Sequence, residues 1–492
     1  MVSWFLKAGL TMSEDIYKDE PKEHCGLFGI INHRDAVWLN YLGLYALQHR
    51  GQEACGIAVN NNGVVSVHKG MGLVSDVFDG STLSHLRGRM AIGHVRYSTT
   101  GSSVIKNSQP LLLEYAKGAL CIAHNGNLVN SFTLRKGLEK AGSIFQTTTD
   151  SEIIIHLMAR SRARSLEDRL IYALRRIKGA YSLVMMDSDN LIGVRDPLGI
   201  RPLCLGKLGD AWCLASETCA FDLIQARFVR EVLPGEIVLI NKNGLRSVKP
   251  RELKPRNRHA FCAFEHVYFS RPDSIVFGET VHMVRRKLGE QLAKEHPAEA
   301  DFVIPVPDSG FSAAMGYSHC SRIPLEMGII RNHYVGRTFI QPAQDSRDLG
   351  VRVKFNLLKS VLRGRRIIIV DDSIVRGTTS KIRIRSLRQA GVKKVHLRIS
   401  CPPHRFPCFY GIDFHKPSEL IAHKYGSIER IRRYLEVDSL GYLSMEGMLN
   451  CLIHPSENYC TACWTGKYPL KPQKGEGKFS LESHCCGQGG IY

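Results

Sequence analysis

The chain lacks the features that mark membrane proteins, P-loop enzymes and nucleic-acid-binding proteins. No apolar run in its 492 residues reaches the roughly 18 residues that a membrane-spanning helix needs. It contains no G-x-x-x-x-G-K-S/T loop, no Cys2His2 finger and no long basic arm. The formal net charge of +20 is spread along the chain, which favours small phosphate-rich ligands over nucleic acid. We therefore predict neither membrane insertion nor nucleic-acid binding.

The chain also lacks the cysteine pattern of a secreted protein. Its 15 cysteines are odd in number and scattered, whereas a disulfide framework pairs regularly spaced cysteines in a short chain. Residues 1–24 combine one short apolar patch with an acidic stretch, so they resemble neither a secretory signal nor an Arg-rich transit peptide. We predict that most cysteines are buried thiols and that the protein is cytoplasmic.

The first half of the chain has the pattern of an α+β domain. Between residues 25 and about 248, short strands separated by Gly and Asn turns enclose two intervals of helical spacing, 150–164 and 166–177. One of the turns is the hairpin signal Asn62-Gly63. This pattern predicts antiparallel sheets and a domain over 25–255, ending in the polar, Pro-containing stretch 249–259.

The second half alternates strands with helices. Strand patterns at 301–306, 366–372 and 394–400 are separated by helical patterns at 312–319 and 380–390. Such alternation predicts an α/β domain with a parallel sheet, over 256–468. Residues 469–492 are rich in Gly, Lys and polar residues, and we predict a disordered tail there.

The segment RIIIVDDSIVRGTTS, residues 366–380, carries the clearest local signal for a ligand site. Its β-branched run is typical of a central parallel strand, and ligands bind beyond the carboxyl ends of such strands. Asp371 and Asp372 follow the strand, and hydroxyl groups, a glycine and a helix start come next, a combination that can hold a phosphate. Two carboxylates beside a phosphate need sugar hydroxyls or a hard cation such as Mg2+. The alternative is that the aspartates only cap the helix.

This segment closely resembles the phosphoribosyl pyrophosphate motif of type I phosphoribosyltransferases. The resemblance implies a continuous set of ligand-binding residues: Asp371, Asp372, Ser373, Ile374, Val375, Arg376, Gly377, Thr378 and Thr379. The loop in IPVPDSGFSAA, an ordinary turn when taken alone, becomes the pyrophosphate loop with Asp308, Ser309 and Gly310. Mg2+ would lie at Ser309, Asp371 and Asp372. Arg337 and Lys354 would belong to a mobile lid.

Cys25 opens the strand-like segment CGLFGI directly after the leader of residues 1–24. If the leader is removed, the α-amine of Cys25, with a reference pKa of about 7.7 to 8.0, can serve as the base for its own thiol. One residue then supplies both nucleophile and base. Taken alone, a cysteine at the start of a strand is more often a small buried hydrophobic residue.

Four motifs follow in the order LQHRGQEACGIAV, GHVRYSTTG, AHNGNL and TTTDSE. Arg96 can pair with an α-carboxylate and Asp150 with an α-ammonium group, as binding of glutamine requires. The Asn125 side-chain amide and the Gly126 N–H can form an oxyanion hole. Taken singly, the two charged residues can also be surface groups, and Asn125-Gly126 can be a hairpin turn.

As an ordered set these motifs match the N-terminal-nucleophile glutaminase domain. With VDDSIVRGTT, the chain is identified as a member of the glutamine phosphoribosylpyrophosphate amidotransferases, which open purine synthesis; the resemblance covers about 25–468. It implies a four-layer αββα glutaminase domain followed by a type I phosphoribosyltransferase domain. Ammonia cut from glutamine, which leaves glutamate, would displace pyrophosphate to form 5-phosphoribosylamine. The resemblance also implies a homo-oligomer, a tetramer or dimer, and feedback inhibition by purine nucleotides. The lid stretch PAQDSRDLGVR matches the family less well.

A cysteine quartet completes the set of candidate sites. Cys460 and Cys463 have a metal-chelating spacing. Resemblance to the iron-sulfur branch of the family adds Cys262 and Cys408 as partners in a [4Fe-4S] cluster. A zinc site made of nearby residues is the alternative, and it would use Cys451, His454, Cys460 and Cys463.

Two other functions compete with this interpretation. A sugar-isomerising amidotransferase would share the glutaminase motifs but would lack the VDDSIVRGTT loop. A non-catalytic regulatory or nucleic-acid-binding relative would explain the net charge of +20, but the intact nucleophile and both anion loops argue against it. Phosphoribosyl-pyrophosphate-dependent release of glutamate distinguishes all three.

Overall fold

The computed structural model describes residues 25–97, 101–253, 258–332, 355–414, 416–473, 477 and 479–482. The leader 1–24 and the predicted lid residues Arg337 and Lys354 lie outside these ranges. The chain divides into two compact units. The first unit comprises Lys22–Val284, Phe406–His415 and Leu452–Tyr492, and the second comprises Met1–Pro21, Arg285–Arg405 and Lys416–Cys451. The domain boundaries given by the sequence pattern stay a prediction.

The first unit contains two large antiparallel sheets, as the first half of the sequence predicts. Its longer strands are β1 (Gly26–Ile31), β2 (Ala54–Asn61), β3 (Val64–Met71), β4 (Met90–Arg96), β5 (Leu111–Tyr115), β6 (Gly118–Leu128), β7 (Gly179–Met186), β8 (Leu191–Arg195), β9 (Cys204–Leu208), β10 (Ala211–Ala215), β11 (Arg227–Glu231), β12 (Ile237–Asn241) and β13 (Gly244–Val248). One sheet has the order β11-β9-β10-β1-β4-β2-β3 and the other β13-β12-β8-β7-β6-β5. The hairpin turn between β2 and β3 is Asn62-Gly63, both with positive φ, which confirms the turn signal.

Helices cover the outer faces of the two sheets. They are α1 (Ala36–Ala46), α2 (Val74–Val77), α3 (Gly80–His85), α4 (Ser131–Lys140), α5 (Ser151–Arg160), α6 (Leu166–Leu174) and α7 (Cys219–Leu223). One apolar core lies between the first sheet and α1 with α7, a second lies between the two sheets, and a third lies between the second sheet and α4, α5 and α6. This order of layers is αββα, so the predicted fold of the first unit is confirmed.

Strand β1 shows why a nucleophile can be held rigidly at this place. All of its residues are buried, because it has a neighbouring strand on each side and a core on each face. Phe28 and Ile30 belong to the core under the helices, whereas Leu27 and Ile31 belong to the core between the sheets. This alternation follows from the two-residue repeat of a strand. Cys25 immediately precedes β1 and is therefore anchored from both faces.

Short elements complete the first unit. They are β14 (Phe261–Cys262), β15 (Ile275–Val276), β16 (Glu279–Thr280), β23 (Tyr459–Cys460) and α15 (Ala462–Thr465). Strands β14 and β23 pair in parallel, with Cys262 opposite Cys460. The pairing joins a segment near the end of the first half of the chain to one near the C-terminus.

The second unit is built on the parallel sheet that the second half of the sequence predicts. Its elements are α8 (Val281–Glu295, which begins in the first unit), β17 (Phe302–Pro305), α9 (Phe311–Ser321), β18 (Ile329–Arg331), β19 (Phe355–Leu357), α10 (Lys359–Leu362), β20 (Arg366–Asp371), α11 (Thr378–Gln389), β21 (Lys394–Ile399), α12 (Ile421–Tyr425), α13 (Ile428–Leu435), β22 (Ser439–Tyr442) and α14 (Met445–Asn450). The main sheet has the order β17-β20-β21-β22 with all pairs parallel. In the described part of the chain, no helix combines the length and apolarity that crossing a bilayer requires.

Candidate active sites

Cys25 lies at the bottom of a cleft in the first unit. Its thiol is within 3.7 Å of the Tyr97 carbonyl oxygen, and the Arg50 Nε donates a hydrogen bond to the Cys25 carbonyl at 3.2 Å. Burial raises the pKa of the Cys25 thiol to about 11. The thiol is therefore neutral near pH 7, and it needs a base before it can attack a carbonyl carbon.

The cleft brings most of the predicted glutamine-site residues together. Its lining comprises Cys25, Arg96, Tyr97, Gln109, His124, Gly126, Thr149 and Asp150. Residues that are far apart in sequence thus converge on one pocket, which counts against the interpretation of Arg96 and Asp150 as surface charges. Both are buried.

Asn125 and Gly126 lie inside strand β6 and not in a hairpin turn. They face Ser182 and Tyr181 of β7. Gly126 has φ +147°, and a Cβ added there would lie 2.0 Å from the Ala180 carbonyl oxygen, so the position requires glycine. Asn125 is fully buried, yet neither atom of its amide bonds to a described residue. A buried amide without partners is available to a ligand.

Asp150 is fixed by its surroundings at the entry to α5. Its Oδ2 accepts a hydrogen bond from the Leu128 N–H at 2.8 Å, and its Oδ1 lies 3.7 Å from the His124 Nδ1. Sequence reasoning did not single out four lining residues. His124 and Thr149 lie inside the motifs AHNGNL and TTTDSE and could have been found there, and Tyr97 lies in GHVRYSTTG. Gln109 has no comparable local signal; its Oε1 accepts a hydrogen bond from the His124 N–H at 2.7 Å.

Residues 479–482, part of the tail that the sequence predicts to be disordered, have defined contacts in the structure. Glu482 accepts a hydrogen bond from the Ser102 N–H, and the Thr148 hydroxyl lies 3.5 Å from the same carboxylate oxygen. Burial lowers the pKa of Arg96, and the negative charges of Glu53, Asp150 and Glu482 oppose that shift. Glu482 therefore acts electrostatically on the predicted carboxylate-binding arginine.

A chain of buried charges runs from the nucleophile through the first unit. Arg50, which holds the Cys25 carbonyl, also donates two hydrogen bonds to Glu265, at 2.8 and 3.0 Å. Glu265 pairs in turn with Arg201 at 3.2 Å, and Arg201 donates to the Tyr410 carbonyl at 2.8 Å. The side chains of Arg50, Glu265 and Arg201 are almost completely buried. Charges this deep are tolerated only because each is paired.

The four cysteines of the predicted quartet all belong to the first unit. Burial raises the pKa of Cys460, and the neighbouring thiols of Cys262 and Cys408 add to that effect. Burial likewise raises the pKa of Tyr468, with additional contributions from Cys408, Cys463 and Cys460. The four thiols are thus close enough to influence one another or a common neighbour.

Neither the zinc alternative nor the [4Fe-4S] quartet forms a metal-holding group among the described residues. Among them, no group of three or more His, Cys, Asp and Glu side chains is arranged to hold a metal ion. Cys451 belongs to the second unit, and its thiol donates to the Gly447 carbonyl at 3.1 Å. The His454 Nε2 lies 2.9 Å from the Phe277 carbonyl.

The phosphate loop of the second unit follows β20 as the sequence predicts. Asp371 and Asp372 are buried at the carboxyl end of this strand, and Gly377, with φ +83°, precedes α11. No side chain caps α11, so the helix-cap alternative is wrong for both aspartates. Burial, and then the charge of Asp371, raise the pKa of Asp372 to about 8. Ile374 and Val375 bury their side chains, so only their backbone can face a phosphate.

The second loop, after β17, lies beside the first. The Val306 N–H donates to the Val370 carbonyl at 2.9 Å, and the Ser309 hydroxyl is close enough to the Asp372 carboxylate to oppose the rise of its pKa. A Cβ on Gly310 would lie 2.3 Å from the Val370 carbonyl oxygen, so this close approach requires glycine. Asp308 instead pairs with Arg331. The two loops that the sequence predicts to bind anions therefore meet at neighbouring strand ends, where ligands of parallel sheets bind.

Comparisons with known proteins agree with this geometry. Residues 94–222 match the family model of a glutamine amidotransferase domain. The chain is 47% identical to the amidophosphoribosyltransferase of Bacillus subtilis, covering 91% of this chain and 94% of the relative. It is 49% identical to amidophosphoribosyltransferase 2, chloroplastic, of Arabidopsis thaliana, covering 94% and 82%.

Solved structures give the same result. A structure described as the allosteric regulatory enzyme of purine biosynthesis superimposes with a TM-score of 0.87 at 47% identity, covering 92% of this chain and 97% of that one. Glutamine phosphoribosylpyrophosphate amidotransferase from B. subtilis, complexed with ADP and GMP, gives a TM-score of 0.86 at 46% identity, covering 92% and 98%.

Fold and relatives together define a glutamine amidotransferase in which an N-terminal-nucleophile glutaminase fold is joined to a phosphoribosyltransferase fold. More specifically, the chain belongs to the amidophosphoribosyltransferase family. Its reaction converts glutamine, water and phosphoribosyl pyrophosphate into 5-phosphoribosylamine, glutamate and pyrophosphate in purine biosynthesis.

Proposed function

We propose that Cys25 is the nucleophile that releases ammonia from glutamine in the cleft of the first unit. The observation that carries this assignment is the convergence of Cys25, Arg96, Gly126 and Asp150 on one pocket. Arg96 would bind the α-carboxylate of glutamine and Asp150 its α-ammonium group, which leaves the side-chain amide facing the thiol. Attack by the sulfur gives a thioester, and water then releases glutamate.

Two further groups are needed for this chemistry. Because the buried thiol is neutral, a base must take its proton, and the α-amine of Cys25, freed by removal of residues 1–24, is suited to this role. The unpartnered Asn125 amide, with the Gly126 N–H, would stabilise the oxyanion that forms on the attacked carbonyl.

The second unit would bind phosphoribosyl pyrophosphate. The loop 371–379 would hold the ribose and its 5-phosphate through the Asp371 and Asp372 carboxylates, backbone N–H groups and threonine hydroxyls, and the loop with Ser309 and Gly310 would hold pyrophosphate. Ammonia then attacks the anomeric carbon of the ribose, and the bond to pyrophosphate breaks. Arg337 and Lys354 stay predictions as lid residues.

Magnesium fits the second unit. Two buried adjacent carboxylates create an excess of negative charge, visible in the raised pKa of Asp372, and a hard cation relieves it. Ser309, Asp371 and Asp372 would hold Mg2+ together with the substrate. The ion would offset the negative charge of the departing pyrophosphate.

A [4Fe-4S] cluster fits the cysteine quartet of the first unit. Burial raises the pKa of the Cys262 thiol to about 11 and also raises those of Cys408 and Cys460, so these sulfurs need a cation to become thiolates. A cluster spaces its four sulfurs more widely than one zinc ion does, because irons and sulfides lie between them. The role of the cluster would be structural.

Regulation is inferred from a relative, and assembly from the resemblance of the sequence to the family. The B. subtilis enzyme was solved with ADP and GMP, so we infer that purine nucleotides inhibit this chain as well. We also expect a homo-oligomer, a dimer or tetramer. The cytoplasmic location, which the scattered cysteines favour, stays a prediction.

Cys25→Ala tests the division of labour between the two sites. The variant is expected to lose glutamine-dependent formation of phosphoribosylamine, because it lacks the attacking sulfur. It should retain the reaction with free ammonia, because the loops of the second unit are untouched. Cys55→Ala, at another buried cysteine of the first unit, serves as the control. Loss of both activities in a folded Cys25→Ala protein would contradict the two-site assignment.

A further inference from the structure

Arg383 occupies an unusual place on helix α11. The residues that this helix buries are Ser380, Arg383, Ile384 and Leu387, the spacing of a stripe that faces a core. The Arg383 side chain is only 9% exposed. Burying a guanidinium removes its hydration, a free-energy cost that an aliphatic side chain does not have. The guanidinium therefore needs a charged partner.

The partner of Arg383 is the first aspartate of the phosphate loop. The Arg383 Nη1 donates to the Asp371 Oδ2 at 2.9 Å, and the other carboxylate oxygen, Oδ1, accepts the N–H of Asp372 at 3.0 Å. Both oxygens of Asp371 are thus engaged, and the carboxylate cannot turn without breaking a buried ion pair. The Arg383 Nε bonds to no described residue, and the guanidinium lies 5.5 Å from the centroid of the Phe355 ring. Asp371 is its one charged partner among the described residues.

Asp372 has a different environment. Its Oδ2 accepts a hydrogen bond from the Ser373 hydroxyl at 2.5 Å, and the Ser309 hydroxyl of the neighbouring loop lies near its carboxylate. No arginine holds Asp372 in the described contacts. The two adjacent aspartates therefore differ: Asp371 is tied to helix α11 by Arg383, whereas Asp372 is bonded within its own loop. Each carboxylate oxygen keeps a further lone pair for ribose hydroxyls or Mg2+.

We propose that Arg383 is a positioning residue for the phosphoribosyl pyrophosphate site. It fixes the Asp371 carboxylate. Because the Asp372 N–H donates a hydrogen bond to that carboxylate, Arg383 also fixes the position of the Asp372 carboxylate relative to the ribose hydroxyls. This inference rests on the proposed function of the second unit.

The same ion pair also acts on the charge of the site. Two carboxylates beside a substrate with several phosphate charges would repel it, and the repulsion is strong in a buried site. Arg383 neutralises one of the two without contacting the substrate, because its guanidinium lies on the helix side of Asp371. Its loss should therefore weaken binding of the anion even where the protein stays folded.

The test compares Arg383→Met and Arg383→Lys with Arg385→Met. Arg385 lies two residues further along α11 and forms an ion pair with Glu436 at 2.9 Å, but its side chain is 57% exposed, which makes it a matched control. Free ammonia serves as the nitrogen donor, so that only the second site is measured. The test measures KM and the calorimetric dissociation constant for phosphoribosyl pyrophosphate, together with kcat and the melting temperature of each variant.

Arg383→Met is expected to raise KM and the dissociation constant at least tenfold, with kcat changed less than threefold. Arg383→Lys should recover part of the affinity, because it restores the charge but not the geometry of the guanidinium. Arg385→Met should match the wild type. Asp371→Asn combined with Arg383→Met should bind no more weakly than Asp371→Asn alone, since the arginine acts through that carboxylate.

Three results would overturn the proposal: an unchanged affinity in folded Arg383→Met, an equal loss in the Arg385 control, or fully additive effects of the Arg383 and Asp371 changes. If Asp372→Asn leaves substrate binding intact, the assignment of the loop itself is wrong. That outcome is distinct from a failure of Arg383 alone.

Discussion

The carboxylate of Glu482 accepts a hydrogen bond from the backbone N–H of Ser102 at 2.5 Å, although 380 residues separate the two in sequence. The contact brings a negative charge to the part of the cleft where Arg96 lies. The preceding residue, Leu481, is 1% exposed, so it anchors this part of the C-terminal segment. A side-chain carboxylate of the chain thus lies near the group that we assign to the α-carboxylate of glutamine.

Glu482→Gln is therefore expected to lower KM for glutamine. Without the charge of Glu482, Arg96 attracts the α-carboxylate of glutamine more strongly. A hydrogen bond to a charged group contributes about 1.5–3 kcal/mol, and solvent exposure reduces this upper limit. We expect a decrease of about threefold to tenfold, measured by glutamate release. Glu457→Gln, an exposed residue of the same unit, is the control. An increase in KM would instead make Glu482 part of the glutamine-binding site.

The raised pKa of Cys25 predicts how its alkylation depends on pH. Because only the thiolate reacts and burial favours the neutral thiol, the rate should keep rising towards about pH 11 in a variant that retains residues 1–24. The thiol of a free cysteine peptide should level off near its usual pKa of about 8.5. Mass spectrometry of iodoacetamide-treated protein measures both rates. A plateau for Cys25 below pH 9 would contradict this expectation.

Removal of the leader can be checked directly on active protein. Intact-mass analysis should find a mature chain that begins at Cys25, because the mechanism needs a free α-amine beside the thiol. A change of Cys25 to Ser should slow or prevent removal if the thiol takes part in it. A fully active preparation that still carries Met1 would disprove the role of the amine.

Asparagine at both Asp371 and Asp372 should abolish binding of phosphoribosyl pyrophosphate and ammonia-dependent synthesis. The amides keep the shape of the side chains but remove both charges, so neither ribose hydroxyls nor Mg2+ are held as before. Asp438→Asn, at a partly exposed ion pair with Arg388 in the same unit, is the control. Near-normal calorimetric binding by the double variant would reject the assignment.

Protein purified without oxygen should contain about four irons per chain and absorb broadly in the visible range. Cys262→Ser and Cys408→Ser should each lower the iron content and the melting temperature, because each removes a ligand from a buried cluster. Cys55→Ser, at a buried cysteine outside the quartet, should keep the iron. Stoichiometric zinc without iron would favour the set Cys451, His454, Cys460 and Cys463.

Sequence patterns predicted the elements well where apolar spacing is regular. Strand 366–371 and the hairpin at Asn62-Gly63 follow from β-branched residues and from turn chemistry, which are local properties. The predicted helix 150–164 is shorter in the structure, Ser151–Arg160, because Ser161 adopts an extended backbone. Local sequence patterns therefore predict whether a segment is a helix or a strand better than they predict the residue at which it ends.

The candidate site was harder to complete from sequence. Cys25, Arg96 and Asp150 could be predicted because their motifs carry specific chemistry. Gln109 and Glu482 could not, since their roles depend on contacts between distant segments. The Arg383 ion pair was also missed, because an arginine in a helix normally indicates a solvated face.

The chain of charges through Arg50, Glu265 and Arg201 has a consequence for how the first unit unfolds. Arg50 also pairs with Glu217, but Glu265 is the carboxylate that Arg50 and Arg201 share, so separating the two arginines from it leaves buried charge without its partner. The strand that begins after Cys25 and the segment around Tyr410 should therefore open in one cooperative step. Amide hydrogens of the two regions should therefore exchange with similar free energies of opening. Damage at the cysteine quartet should then speed the exchange of amide hydrogens near Cys25, although the residues that line the cleft are unchanged.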